Sequence, residues 1–416
     1  MKVLRLPAYF EPEQAASSYI WQNLSESFAR SGMDMVVYTP MPTRGVADDV
    51  RKYYKSHRIE KKYDGHLTIH RFSLYGEGKN PVLRAFRYVL QGIIQFNRAV
   101  FAKDARQCDV MFIASTPPIQ GALAAVIKKF RKTPVVYNLQ DIFPDSLVGT
   151  GLAKKGGLLW KIGRVVENFT YRNADKIIVI SEDFKRNIMA KGVPEEKIEV
   201  VYNWVDEEAV VDVPRSENVL FDRYGLDRSK FYVTYNGNIG LTQNMDMLVG
   251  VAKELEAKEE IHFVLVGEGA YKESLSRIIK ERNIKNVTLL PFQPYEEISH
   301  VFSLGDVSLV ISKPGVGSNS VPSKTWSIMS ASRPVLANFD ENELKTIIAD
   351  NNCGIFTKAG DKDAFKAAII KLYGDRELCK EMGKNGRQFV MDNLTKEVGT
   401  QKYVDVISSV VNIEKH

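Results

Sequence analysis

The stretch Phe231-Tyr232-Val233-Thr234-Tyr235-Asn236, then Gly237-Asn238-Ile239-Gly240-Leu241-Thr242-Gln243-Asn244, then Met245–Lys258, decides the fold. Its first six residues are β-branched, aromatic or small, the pattern of a strand covered on both faces. Two glycines in the turn allow close backbone approach, and the apolar spacing after Asn244 is helical. Strand, glycine turn and helix in that order open a doubly wound α/β sheet, and the free N–H groups at such a helix start favour a phosphate.

The same alternation continues on both sides. Downstream, His262–Val266, Val287–Leu290, Val307–Ser312, Pro334–Ala337 and Gly354–Thr357 each precede a helical pattern. Upstream, the strand candidates are Lys2–Arg5, Met33–Thr39, Leu67–Phe72, Asp109–Ala114, Pro134–Leu139, Lys176–Ile180 and Glu199–Tyr202. Helix-length segments such as Glu13–Ser31, Pro81–Lys103 and Ile119–Phe130 lie between them. Asp206–Ser229 is polar, aperiodic and contains Pro214, so it is expected to be a linker. From about Glu377 to Val411 the pattern gives two helices with no strand between them. The expected architecture is α/β: two Rossmann-like domains, 1–205 and 230–393, facing a central cleft, with a last helix, 394–416, crossing back to the first.

Composition bounds the chemistry. A chain of 416 residues, 44% hydrophobic and 26% charged, suits two or three folded domains and excludes disorder. Three scattered cysteines, Cys108, Cys353 and Cys379, form no CxxC pair, which argues against a disulfide framework and a structural zinc. The first apolar run is broken by Arg5 and Pro7, and Phe86–Phe101 carries Arg87 and Arg98, so neither an export signal nor a transmembrane helix is expected. The formal charge of +6 permits an anionic substrate or an acidic membrane face and is too small to indicate nucleic acid.

Ligands of such sheets bind beyond the carboxyl ends of the strands, which directs attention to the loops there. Besides the Gly237–Asn244 turn, these are Val266-Gly267-Glu268-Gly269 and the longer loop from Lys313 through Gly315, Gly317, Ser318, Ser320 and Ser323 to Lys324. Glycines, hydroxyls and a lysine at a helix start suit an anion, but the lysine does not directly follow a glycine, so a Walker-type nucleotide loop is excluded. In the first half, Asp141 ends a strand where a cleft carboxylate would act as a base, or equally as a turn residue before Pro144. The loops Pro7–Gln14 and Ser115–Pro118 lie at neighbouring strand ends.

Eight blocks, in order, carry a resemblance: PAYFEPEQAAS, QDIFPDS, NADKIIVISEDFK, VVYNWVD, GNIGLTQNMDML, FVLVGEGAYKESL, LGDVSLV and SVPSKTWSIMSASRPVLA. Together they resemble the GT-B retaining glycosyltransferases of family 4, in particular the bacterial enzymes of the N-acetylfucosamine-transferase type that build O-antigen and capsule repeats. The resemblance implies a UDP-sugar donor, with an N-acetylated or deoxy amino sugar, bound in the C-terminal half. It implies a polyprenyl-diphosphate-linked acceptor in the N-terminal half, no metal and no other cofactor. It places the enzyme in the cytoplasm, on the inner face of the plasma membrane. Retention in this family is attributed to front-face displacement, in which the leaving diphosphate assists deprotonation of the acceptor.

Carried onto this chain, the donor side comprises Asn238, Gly240, Gln243, Asn244, Gly267, Glu268, Gly269, Phe292, Gln293, Ser320, Val321, Pro322, Ser323 and Ser327; the acceptor side comprises Glu13, Gln14, Ser115, Thr116 and Gln140. Glu297 reads as a capping acid near the base site. The departures are pronounced. The family's Glu-x7-Glu pair falls on Asn319 and Ser327, its loop arginine and lysine on Asn238 and Asn244, and a histidine on Gln140. Lys324, with Asp141 the assigned catalytic pair, is expected to compensate by stabilising the diphosphate leaving group, helped by Ser323 and the backbone of Gly240. Basic and Trp/Leu-rich residues in 147–172, and the apolar pattern 81–102, are candidates for an anionic membrane face. The rivals are a non-hydrolysing UDP-sugar epimerase, a catalytically weakened GT-B binding subunit and a two-lobed solute-binding protein.

Overall fold

In the computed structural model the described residues are 1–13, 18–76, 78, 80–149, 153–317 and 321–413. They form two compact units: Met1–Tyr202 with Gly399–His416, and Asn203–Val398. The first unit holds strands β1 (Lys2–Arg5), β2 (Asp34–Pro40), β3 (Ile59–Lys62), β4 (Leu67–Phe72), β5 (Val110–Ala114), β6 (Val135–Leu139), β7 (Lys176–Val179) and β8 (Ile198–Val200). They lie in the order β3-β4-β2-β1-β5-β6-β7-β8. All pairs are parallel except β3 with β4. Val3, Leu4, Val110, Met111, Ile177 and Ile178 are fully buried, as parallel strands with both faces covered require. The edge strand β3 escaped the sequence reading because it is Ile-Glu-Lys-Lys with no buried residue, the charged edge that blocks further pairing.

The second unit holds β9 (Phe231–Asn236), β10 (Ile261–Val266), β11 (Val287–Leu290), β12 (Val307–Ile311), β13 (Val335–Phe339) and β14 (Gly354–Lys358). These lie in the order β11-β10-β9-β12-β13-β14, all parallel. The order reverses between β9 and β12, so the turn quoted first stands at the topological switch point.

Two boundaries differ from the sequence reading. Asp206–Ser229 is not a linker but part of the second unit. Its helix Val219–Arg223 buries Leu220 and Phe221 against Tyr232, Val264 and Leu304. Its polarity comes from ties such as Arg215 to Asp306 at 2.6 Å. The chain rejoins the first unit at Gly399, inside the helix Lys396–Ile413, rather than at 394. Tyr403 anchors that helix: its buried ring meets Phe112 edge-on, and its hydroxyl donates to Asn138 Oδ1 at 3.1 Å and accepts from Gln140 Nε2 at 3.3 Å.

Two helices of the first unit have unusual faces. Pro81–Phe101 buries Arg87, Gln91 and Gln95 while exposing Leu83, Phe86, Val89, Ile93 and Phe101. Leu158–Asn173 buries Gly163, Glu167, Thr170 and Tyr171 while exposing Leu158, Leu159, Ile162 and Val165. Ile119–Arg131 packs against both and exposes Phe130. Among the described residues, no helix is long and apolar enough to cross a membrane.

Tyr403→Ala removes a fully buried ring and its hydrogen bonds to Asn138 and Gln140. It should destabilise the first unit by roughly 3–5 kcal/mol, seen as a lower urea midpoint; an unchanged midpoint contradicts the anchoring role.

Candidate active site

In the second unit four loops meet at the carboxyl ends of the strands. The Gly237 N–H donates to Val266 O, Ile239 N–H to Glu268 O, Tyr271 N–H to Ile239 O and Lys313 N–H to Thr242 O, at 2.8 to 3.0 Å. A β-carbon on residue 267 would overlap the Gly237 carbonyl, and one on residue 269 would overlap that of Ile239. Gly267 and Gly269 also hold φ of 149° and 157°. Their glycine character therefore serves loop-against-loop packing, where the sequence suggested approach to a ligand. The Asp340 carboxylate holds the third loop by accepting the N–H groups of Gly315 at 2.9 Å and Gly317 at 2.8 Å.

Lys324 opens the helix Lys324–Ser330 and reaches back under the first turn. Its Nζ stands 3.8 Å from the centre of the Tyr235 ring, and a β-carbon on residue 237 would lie 3.1 Å from it. The Tyr235 ring is fixed in turn by its hydroxyl, which donates to Asn238 O at 2.7 Å. Lys324 lines a cavity of about 210 Å³ with Thr242, Gln243, Ser312, Val316, Pro322 and Phe339, and no carboxylate lines it. The Ser312 hydroxyl is buried without a hydrogen-bond partner among the described residues. Removed from water with no acid to compensate, the Lys324 ammonium is pushed down to about 7. An unpaired lysine and an unpartnered hydroxyl suit a ligand that brings negative charge and acceptor oxygens.

Of the donor-side residues read from sequence, the structure brings Gln243 and Pro322 into this cavity, beside the assigned catalytic Lys324. The Gly240 N–H is already taken by Gln243 Oε1 at 3.1 Å, so it is not a free donor as expected. The Asn244 amide turns to Met247 Sδ. Glu268 pairs with Lys272 at 2.6 Å, which holds its carboxyl below the usual range. Phe292 is exposed. Gln293 is a structural tie instead: it donates to Tyr224 and Pro291 O and accepts from Arg223. Glu297 is likewise held by both Arg223 nitrogens, at 2.6 and 2.7 Å, rather than capping a helix. Asn238 and Ser323 are exposed, while Val321 and Ser327 are half-buried. Gln14, Asn319 and Ser320 lie outside the described residues. Tyr235, Ser312 and Asp340 were missed, although all three stand at or just past strand ends, where the carboxyl-end rule points.

In the first unit, a cavity of about 150 Å³ gathers Arg5, Phe10, Glu13, Trp21, Thr116 and Gln140. The Glu13 carboxylate accepts the N–H groups of Thr43 at 2.8 Å and Arg44 at 2.9 Å, which fixes the loop after β2. Ser115 does not line this cavity; its buried hydroxyl accepts the Gln140 N–H at 3.0 Å. Asp141 does not line it either. It is exposed beside a separate hollow with Tyr137, Phe143 and Tyr171, in the bend that follows β6. Arg5, missed by the sequence reading, is buried over Trp21 at 4.8 Å and donates to Ser25 Oγ at 3.3 Å.

Residues 16–204 match the glycosyl transferase 4-like domain, and residues 216–389 match the glycosyl transferases group 1 family. The chain belongs to the glycosyltransferases. This glycosyltransferase is 22% identical over 415 residues to WbjE of Pseudomonas aeruginosa, covering 100% of this chain and 99% of that one, and WbjE is itself named a glycosyltransferase. It is 24% identical over 342 residues to the colanic acid biosynthesis glycosyl transferase WcaI of Escherichia coli K12, covering 79% and 81% of the two chains. Its fold matches HepE of Anabaena in complex with UDP at a TM-score of 0.72, with 16% identity, over 98% of this chain and 100% of that one. The two Rossmann-like domains are those of the GT-B fold.

A pH test probes the Lys324 environment directly. Between about 7 and the ordinary lysine value of 10.5, the unfolded glycosyltransferase keeps a proton that the folded one has lost. Stability should therefore rise with pH across that window, and Lys324→Met should lose that rise. Urea midpoints at several pH values in that range check this; parallel pH profiles for the two proteins contradict it.

Proposed function

We propose that the enzyme moves a sugar from a UDP-sugar to a polyprenyl-diphosphate-linked saccharide during surface polysaccharide synthesis, with retention of configuration and without a metal. The observation that carries this reading is Lys324, an unpaired cation at the switch point beside an open cavity. Departure of UDP concentrates negative charge on the β-phosphate, and an ammonium held there stabilises the transition state more than the ground state. The Ser312 hydroxyl and the amide of Gln243 supply neutral hydrogen-bonding groups to the same cavity. HepE, similar in fold, was crystallised with UDP and with UDP-glucose, and WcaI is named for colanic acid biosynthesis, which supports the donor class and the setting. The transferred sugar is proposed to be an N-acetylated or deoxy amino sugar, from the sequence resemblance.

The acceptor's lipid implies a membrane, and the outward-facing apolar residues of the first unit support a peripheral site on the inner face of the plasma membrane. The helices Pro81–Phe101, Ile119–Arg131 and Leu158–Asn173 contain one carboxylate, Glu167, and it is buried. Their exposed charges are cationic, among them Arg84, Arg98 and Lys161. Apolar side chains flanked by lysine and arginine fit an anionic lipid surface, with about 1.5–3 kcal/mol for each large side chain fully taken from water.

Incubation with a panel of UDP-sugars and a short-chain polyprenyl-diphosphate saccharide should give an extended lipid with the donor's anomeric configuration. Epimerised UDP-sugar formed without acceptor would instead favour the epimerase, and donor binding without turnover a binding subunit. Lys324→Ala should lower kcat by about 100-fold or more with the fold intact; wild-type kcat refutes its assigned role. The triple variant Leu158→Ser, Ile162→Ser, Val165→Ser should fail to float with anionic liposomes that carry the wild type. Flotation of neither protein, or of both equally, counts against the membrane face.

A further inference from the structure

A second cavity, of about 710 Å³, lies at the opposite end of the second sheet, where strands begin. Ser229 lines it just before β9, Gly305 and Asp306 just before β12, and Ser332 to Pro334 just before β13. No donor-side or acceptor-side residue named above lines it. Its charge is lopsided. Arg215, Arg333, Arg376, Lys380, Lys384 and Arg387 face two carboxylates, Asp212 and Asp306.

Four of these cations come from one helix, Arg376–Asn393. Arg376, Lys380, Lys384 and Arg387 are spaced by four, four and three residues, which sets them in a single stripe. Like charges at that spacing repel, and Arg376 stands at the helix's own positive end. The carboxylates neutralise only the stripe's first member, Arg376. Asp306 divides its oxygens between Arg215 at 2.6 Å and Arg376 at 2.8 Å, and one also accepts the Tyr232 N–H. Asp212 is taken by Arg333 at 2.8 Å. Arg387 donates only to uncharged oxygens: the carbonyls of Glu207, Val210 and Ser330 and the Ser330 hydroxyl. Lys380 pairs only with Glu377, in a fully solvated contact that contributes little. Lys384 makes no hydrogen bond or ion pair among the described residues.

We propose that this cavity is a second ligand site, for a small, multiply charged phosphate anion: a diphosphate, free or as part of a nucleotide. Several converging cations demand a ligand with several charges, and guanidinium forks match phosphate oxygens in pairs. The concave shape favours a compact anion over an extended polyanion. Arg387, Arg333 and Arg215 also hold residues 207 to 215 through the bonds above, so an anion drawing on the same donors is coupled to the segment with which the second unit begins. The site is regulatory in character, being remote from Lys324 along the strands.

The test uses the full chain and inorganic pyrophosphate, titrated calorimetrically at fixed ionic strength in a Lys324→Ala background, which silences the first cavity. Saturable binding of one pyrophosphate is expected, and Lys380→Ala with Lys384→Ala should weaken it at least tenfold; both side chains are exposed, so folding is preserved. Parallel titration with UDP identifies the source: UDP binding that Lys380→Ala with Lys384→Ala weakens assigns a nucleotide ligand, and binding of pyrophosphate alone to this cavity assigns the inorganic anion. No saturable heat overturns the proposal, as does undiminished affinity in the double variant or equal thermal stabilisation by sodium chloride at matched ionic strength.

Discussion

The carbonyl oxygen of Gly237 occupies the space where any side chain on residue 267 would begin, and the organisation of the second unit's binding end depends on that contact. It is possible only because residue 267 lacks a β-carbon and holds a backbone conformation that other residues rarely adopt, while the bare α-carbon of Gly237 leaves room for the Lys324 ammonium. With the two turns touching, the loops after β9 and β10 become one platform, tied further by the bond from Ile239 to Glu268 O. Tyr235, next to last in β9, lies under this platform, and its ring receives Lys324 from the helix that follows the loop after β12. The position of this uncompensated cation is thus set by strand order, two glycines and a tyrosine.

On the proposed function, that arrangement stands in for the carboxylates and paired cations of the wider resemblance. Asn238 and Asn244 are uncharged, and Ser327 offers only a hydroxyl, so the electrostatic work falls on a single ammonium in a cavity with no acid. A lone charge in a water-poor cavity acts more strongly than several solvated ones, because little solvent screens it. The two units also divide their surfaces by chemistry. The first turns apolar side chains outward from helices whose inner faces are polar, while the second concentrates cations where its strands begin and places the single Lys324 in the cavity at their carboxyl ends.

Most of the fold was legible because parallel strands covered on both faces need unbroken apolar runs, as in β9, β10 and β12. What was missed follows from the same rule. β3 is charged, and residues 206 to 229 are polar because their partners lie far along the chain, as Asp306 does for Arg215, 91 residues away. At the site, Lys324 could be read from its loop. Gln293 and Glu297 could not be read correctly, since the residue that occupies both, Arg223, lies 70 and 74 positions earlier. Asp141 and Gln140 are neighbours in sequence, yet only Gln140 lines the first unit's cavity, because both lie in the bend after β6, where no regular alternation fixes which way a side chain points.

The depressed lysine has a consequence for selectivity. Above about 7 the Lys324 amine is increasingly neutral, so ambient phosphate and chloride find less charge there to hold them. On the proposed function, a diphosphate entering the cavity would restore the ammonium through its own field, drawing a proton from solvent as it binds. Occupancy and charge would then arise together, and the attraction would fall away once the ligand has left.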